Sequence, residues 1–182
     1  MAHQYTAVYL ADSLSLFQYY KTLAERALAQ ASDEDLYRTL GPETNSIAVI
    51  MKHMAGNMRS RWTDFLTTDG EKPNRQRDTE FEAPPATRAE LMAMWDEGWR
   101  LLFAALTPLD AADLARAVTI RSEPHSVMQA INRQLAHYAM HAGQIVLLAR
   151  HWTGGGWTSL TVPKGKSGEF NLRVERGEAS QR

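Results

Sequence analysis

The spacing of apolar residues constrains the fold of this chain more than any other feature of its sequence. In four stretches, apolar residues recur every three or four positions, which places their side chains along one face of an α-helix. These stretches predict helices over about residues 6–31, 44–67, 87–107 and 126–152. Because each helix must bury its apolar face against another, the predicted fold class is all-α, a four-helix bundle in a single domain over residues 1–175.

Two of the predicted helix starts carry a recognisable capping signal. Thr87 is followed by Glu90, and Ser126 by Gln129. At this spacing the first side chain accepts a hydrogen bond from the backbone three residues later, and the second side chain reaches back to the backbone of the first residue. Both pairs therefore predict a capping box.

The rest of the chain shows weaker signals. The second helix is expected to take Thr44 or Asn45 as its cap. Residues 69–85 are polar and contain prolines, and are predicted to form a long surface connection. Residues 117–121 could form a short extended segment. The last thirty residues are expected to be irregular, with disorder over residues 176–182.

Composition excludes several classes of protein. Twenty basic and 21 acidic residues give a net charge of −1, which argues against a dedicated nucleic-acid-binding protein. There is no cysteine, so disulfides, thiolate metal sites and a nucleophilic thiol of the protein itself are excluded. No run approaches 18 apolar residues, so no membrane span is expected. These features favour a cytoplasmic protein.

Three histidines are candidate metal ligands. His137 and His141 are four residues apart, so they lie about 6 Å apart on the same face of one helix. Their pairing suits a metal, which needs a further ligand, and His53 on a facing helix of a bundle could supply it. The alternative is that each is an interior or edge histidine with one hydrogen bond. The zinc-protease motif is excluded because Tyr138 stands where that motif needs a glutamate.

Two amides lie near these histidines along their helices. Asn57 is four residues after His53, and Gln144 is three residues after His141. Either amide could hydrogen-bond to an imidazole and fix its tautomer. The alternative reading, an ordinary interior or surface amide, is equally compatible with the sequence.

The two histidine-bearing segments and the tail resemble a known superfamily. Residues 45–57 read NSIAVIMKHMAGN, and residues 134–145 read QLAHYAMHAGQI. In this order they resemble the DinB/YfiT-like superfamily, and the similarity covers essentially the whole chain in the order of its elements. Residues 163–171, PKGKSGEFN, resemble the ending of a functionally uncharacterised branch of that superfamily.

This resemblance implies a four-helix bundle, often dimeric, with a divalent metal held by His53, His137 and His141. Characterised relatives include transferases and isomerases that use a low-molecular-weight thiol such as bacillithiol, mycothiol or glutathione. The resemblance thus implies a thiol cosubstrate, an electrophilic substrate and a homodimer.

The sequence leaves four functions open. The first is a thiol-dependent S-transferase or isomerase, since a metal with three neutral ligands strongly lowers the pKa of a bound thiol or water. The second is a metal-dependent hydrolase, although no carboxylate has a spacing that ties it to the histidines as a general base. The third is a non-catalytic metal-binding or stress-response protein. The fourth is a helical bundle that binds no metal and serves as an interaction module. Nitrogen ligands with open positions suit Zn, Ni or Fe, and do not choose among them.

Overall fold

The structure, a computed structural model, describes the backbone of residues 2–180 and the side chains of residues 8–180. It is mainly helical, as the apolar spacing predicts. Its α-helices and strands are, in chain order, α1 (Ala2–Leu28), α2 (Ile47–Trp62), α3 (Arg88–Leu106), β1 (Ala117–Ile120), β2 (Glu123–Ser126), α4 (Val127–Thr153) and α5 (Ser167–Glu175). None of the helices described is long and apolar enough to cross a membrane.

The four long helices pack around a shared apolar core. α2 lies along α3 and α1 along α4, while α2 also contacts α4 and α1 contacts α3. Aromatic rings from all four helices meet at the centre. Phe17 lies edge-on to Trp62 and Trp99, and Tyr138 lies beside Phe17 and Trp99. These rings are 2% exposed or less, so the core fixes the contact between α2 and α4 on which the histidines lie.

Both predicted capping boxes are present. The Thr87 side chain accepts from the Glu90 backbone N–H at the start of α3, and Glu90 reaches back to the Thr87 backbone. Ser126 and Gln129 make the same reciprocal pair at the start of α4. These bonds satisfy N–H groups that the first helical turn leaves without an internal partner.

The predicted cap of α2 is wrong by one or two residues. Ser46 is the cap, and its hydroxyl accepts a hydrogen bond from the Val49 backbone N–H. The Thr44 hydroxyl is already engaged, because it donates to the Gly41 carbonyl and accepts from the Gly41 N–H. The Thr44 hydroxyl is therefore bound within the preceding loop, and Ser46 caps the helix instead.

A tight hairpin links the end of α3 to the start of α4. β1 and β2 pair antiparallel, with Ile120 opposite Glu123. The two turn residues, Arg121 and Ser122, have φ of 54° and 63°, the left-handed conformation that a two-residue hairpin turn requires at both positions. The Asp69 carboxylate accepts hydrogen bonds from both their N–H groups, at 2.8 and 2.7 Å. The 69–85 connection is thus fastened to the hairpin.

The tail differs from its prediction. Residues 167–175 form the helix α5 rather than irregular chain. Leu160 is 9% exposed and belongs to the main core, and Trp157 packs against this core. These two side chains anchor the segment that precedes α5. Of the tail predicted to be disordered, residues 181–182 lie outside the described residues. That disorder and the domain boundary at residue 175 stay predictions.

Candidate metal centre

The structure brings His53, His137 and His141 together. α2 carries His53 and α4 carries the other two, on the faces that these helices turn toward each other. The Nε2 atom of His137 lies 3.3 Å from Nε2 of His53 and 3.0 Å from Nε2 of His141. One ring nitrogen from each of the three lies within 4.8 Å of the others, close enough to hold one metal ion. Sequence reasoning predicted this grouping of histidines.

Hydrogen bonds at the far side of two rings fix their tautomers. Nδ1 of His53 lies 2.9 Å from Oε2 of Glu80, and a carboxylate can only accept, so this nitrogen carries the proton. Nδ1 of His141 lies 2.7 Å from Oε1 of Gln144 and donates to it in the same way. When these two imidazoles are in the neutral form that binds metals, their Nε2 lone pairs therefore point toward His137.

These lone pairs suit a cation better than a proton. A proton on Nε2 of His137 can be shared with only one of its two neighbours, whereas one cation accepts all three lone pairs. Nδ1 of His137 is buried without a hydrogen-bond partner among the described residues. It is the remaining proton position on that ring when Nε2 binds a cation. The donor set thus fits a divalent transition metal with three neutral nitrogen ligands and at least one open position.

Burial also favours the neutral form of His137 and His141. Removal from water, together with the charges that His141 and His53 would carry, lowers the pKa of His137 to about 3. Burial lowers the pKa of His141 as well, although its bond to Gln144 opposes the shift. Neutral imidazole is the form that binds metals, so protons compete weakly for these positions near neutral pH.

Glu80 is a site residue that sequence reasoning missed. Residues 69–85 were predicted to be a surface connection, yet they fold back so that Glu80, in a short 3₁₀ turn, is 6% exposed. Arg75 binds both of its oxygens, each at 2.8 Å, and the carboxylate also accepts from His53. Burial raises the pKa of Glu80, but the bonds from His53 and Arg75 outweigh it and hold the pKa below its usual range. Glu80 is therefore an anion bound to His53.

The approach of Glu80 to α2 requires a glycine. A Cβ atom at Gly56 would lie 2.5 Å from Oε1 of Glu80. Gly56 is three residues after His53, on the same face of α2, so it opens the space through which the carboxylate reaches the imidazole. Phe81, the next residue along the turn, stacks on the His53 ring with 4.5 Å between centroids. Gly56 was visible in the sequence three residues after His53, but no neighbouring residue indicated which segment would pack against it.

The two amides take different places. Gln144 contacts His141, as described above. Oδ1 of Asn57 accepts hydrogen bonds from Gln134 at 3.1 Å and from the Tyr138 hydroxyl at 2.9 Å. The Tyr138 oxygen in turn accepts from the Trp62 indole. Asn57 thereby ties α2 to α4 one turn below the histidines. A direct role of Asn57 in holding an imidazole stays a prediction.

Two of the three histidines, His53 and His137, open onto a cavity of about 340 Å³. Its lining residues are His53, His137, Asn57 and five arginines, namely Arg61, Arg75, Arg77, Arg121 and Arg133. Pockets of this size hold small-molecule ligands.

Fold and site together define a mainly helical protein with a buried group of three histidines that could hold a metal. A family model described as a protein of unknown function, DUF1572, matches residues 4–166. The chain belongs to this family. No curated protein and no solved structure matches it at a significant level.

Proposed function

We propose that this protein is a four-helix bundle that binds one divalent transition metal through His53, His137 and His141. The observation that carries the proposal is the convergence of three Nε2 atoms, two of which the bonds to Glu80 and Gln144 leave with free lone pairs. The resemblance of both helical segments to the DinB/YfiT-like superfamily supports the same ligand set.

We further propose that the site serves a thiol-dependent transferase or isomerase. A metal bound there would lower the pKa of a coordinated thiol or water. The chain contributes three neutral ligands, which leave the positive charge of the ion largely uncompensated, and a cavity open to a second molecule. It contributes no thiol of its own, since it has no cysteine, so the thiol would be a small molecule such as bacillithiol, mycothiol or glutathione.

A hydrolase is the weaker candidate because its general base is not apparent. Among residues 8–180, Glu80 is the carboxylate that contacts the histidines, and its oxygens accept hydrogen bonds from Arg75 and His53. A carboxylate held in this way orients an imidazole and does not accept a proton from water.

Elemental analysis of untagged protein tests the metal proposal. We expect about one equivalent of Zn, Ni or Fe per chain in the wild type, and loss of the metal in His53→Ala, His137→Ala and His141→Ala. His151→Ala is the matched control, because His151 is an exposed histidine of the same helix, α4. Wild-type protein that carries no metal and binds none on titration at neutral pH would refute the proposal, as would equal loss in the control.

A spectroscopic titration tests the thiol proposal. Cobalt-loaded protein should develop a sulfur-to-metal charge-transfer band on addition of glutathione, bacillithiol or mycothiol. The His137→Ala variant should not develop it. If no thiol produces the band although the metal is bound, the transferase proposal fails and a hydrolase or a non-catalytic metal protein remains.

A homodimer is also a proposal. On α4, Met140 and Leu147 are 54% and 61% exposed and lie seven residues apart, which places them on one face of the helix. Such side chains suit contact with a second copy. Size-exclusion chromatography with light scattering should show a dimer for the wild type and a monomer for Leu147→Glu. A monomeric wild type would refute the dimer.

A further inference from the structure

The cavity beside the histidines is lined by two rows of polar side chains that face each other. His53, Asn57 and Arg61 follow one another at intervals of four on α2, so they form one row along its inner face. On α4, Arg133 and His137 line the same cavity at the same interval. Each row therefore has a histidine at one end and an arginine one or two turns away.

The loops add further positive charge at the same cavity. Arg75 and Arg77 come from the 69–85 connection, and Arg121 from the turn of the hairpin. Arg75 is paired with Glu80 and Glu71, at 2.8 and 2.9 Å. Arg121 reaches the same Glu71 at 3.5 Å.

The other arginines that line the cavity have an exposed carboxylate partner or, in the described part of the chain, none. Arg77 pairs with Asp78 at 3.6 Å, and that carboxylate is 97% exposed. Arg61 and Arg133 form no ion pair with any carboxylate of residues 8–180. Three carboxylate groups, those of Glu71, Glu80 and the exposed Asp78, thus serve five guanidinium groups, and the cavity keeps a positive surplus.

Arg61 is the most informative member of this group. It is 2% exposed, and its Nε and Nη1 atoms are buried without a hydrogen-bond partner among the described residues. Asp69 lies close enough to interact with it, but accepts three backbone N–H bonds of its own. An unpaired buried guanidinium costs free energy that a stable fold rarely tolerates without a functional reason. Arg61 lies on the cavity wall, so contact with a ligand in the cavity would supply such a reason.

We propose that this cavity binds a small, multiply charged oxyanion, a dicarboxylate or a phosphate ester, with Arg61 and Arg133 as its principal contacts. Planar guanidinium groups pair with both kinds of oxyanion through two parallel N–H···O bonds. The anion would lie beside His53 and His137, which line the same cavity and are ligands of the proposed metal. The inference names the substrate class of the proposed enzyme and rests on that function only for the presence of the metal.

Calorimetric titration with succinate at low ionic strength tests the inference. The titration uses the full chain, once after removal of metals with EDTA and once loaded with zinc. Inorganic phosphate is a second probe for the metal-free form, while acetate and neutral succinamide match succinate in chemistry without its double charge. Arg133→Gln removes one contact at an exposed position, where folding is not at risk, and Arg61→Met removes the buried one. Arg150→Gln makes the same change of charge farther along α4, at another exposed position.

We expect succinate to bind both forms of the wild type and of Arg150→Gln equally. Arg133→Gln should weaken binding about tenfold in both forms, the effect of one lost hydrogen bond to a charged group. Arg61→Met should weaken it at least as much. Acetate and succinamide should bind more weakly than succinate to the wild type.

Three results would overturn the inference. The first is that succinate does not bind. The second is that acetate or succinamide binds as tightly as succinate. The third is that succinate binds only to the zinc-loaded form and with equal affinity in both arginine variants, which would make the ion a metal ligand and leave the metal centre standing. Arginine-dependent binding of succinate in a wild-type chain that takes up no zinc on loading would instead refute the proposed metal site and support the anion site.

Discussion

One added methyl group at Gly56 tests how Glu80 reaches His53. In Gly56→Ala, the new Cβ atom would lie 2.5 Å from Oε1 and 2.7 Å from Cδ of Glu80, well inside contact distance. The carboxylate must withdraw and give up a bond to Arg75 or His53, which costs about 1.5–3 kcal/mol for a hydrogen bond to a charged group. Replacing glycine by alanine inside a helix returns about 1 kcal/mol. The expected net change is a loss of about 0.5–2 kcal/mol.

The matched control is the same substitution at Gly143. This glycine lies within α4, and nothing lies within 4 Å of the position its Cβ would take. Gly143→Ala should therefore gain the helical contribution alone, about 1 kcal/mol. The two variants carry the same chemical change and are expected to move stability in opposite directions.

Urea unfolding of metal-free protein measures both changes, because bound metal would itself add stability to the folded state. For a chain of this length each kcal/mol corresponds to about 2–4 °C in Tm. Metal titration should in addition show about tenfold weaker binding in Gly56→Ala, because the carboxylate that orients His53 is displaced. If Gly56→Ala is as stable as Gly143→Ala and binds metal as the wild type does, Glu80 is not held as described and the reasoning is wrong.

Three further changes probe the surroundings of the site. Glu80→Gln replaces one of the two carboxylate partners of the buried Arg75 by a neutral amide, while Glu71 remains. It should cost about 1.5–3 kcal/mol in urea unfolding and weaken metal binding by about 10–100-fold; an unchanged metal affinity would contradict the role of Glu80. Asp69→Asn should lose about 1–2 kcal/mol at neutral pH. Burial raises the pKa of Asp69, but three backbone N–H groups outweigh it and hold the pKa below the usual range. The wild type's advantage is therefore complete above about pH 4 and declines as the pH falls below it; a difference independent of pH in parallel unfolding curves would contradict this. Ser126→Ala removes the cap of α4 and should cost about 1 kcal/mol in the same assay, and no cost would show that the hairpin alone sets the start of this helix.

The parts of the fold that the sequence predicted are those set by neighbouring residues. The capping boxes at Thr87 and Ser126 depend on contacts three residues apart, so their spacing was sufficient. His137 and His141 share a helix face for the same reason. The cap of α2 was misplaced because Thr44 is engaged by a preceding turn, which competes with the helix for its hydroxyl.

The parts that the sequence did not predict depend on contacts between distant segments. Glu80 reaches His53 across 27 positions, and its place is decided by the glycine on α2 and by Arg75. In the sequence it is one acidic residue in a polar stretch with no periodicity. Arg61 was likewise assigned no function, because its lack of a partner becomes visible only once the surrounding helices and loops are in place.

The 69–85 connection, which lacks regular structure over most of its length, is fastened at several points to the rest of the protein. Asp69 holds the hairpin turn, Lys52 on α2 binds the carbonyls of Thr79 and Ala83, and Glu80 binds His53. If metal binding raises the equilibrium constant for attachment of this segment by some factor, attachment of the segment must raise the affinity for the metal by the same factor. A protease that cleaves this connection only when it detaches would consequently report metal occupancy at a distance from the histidines.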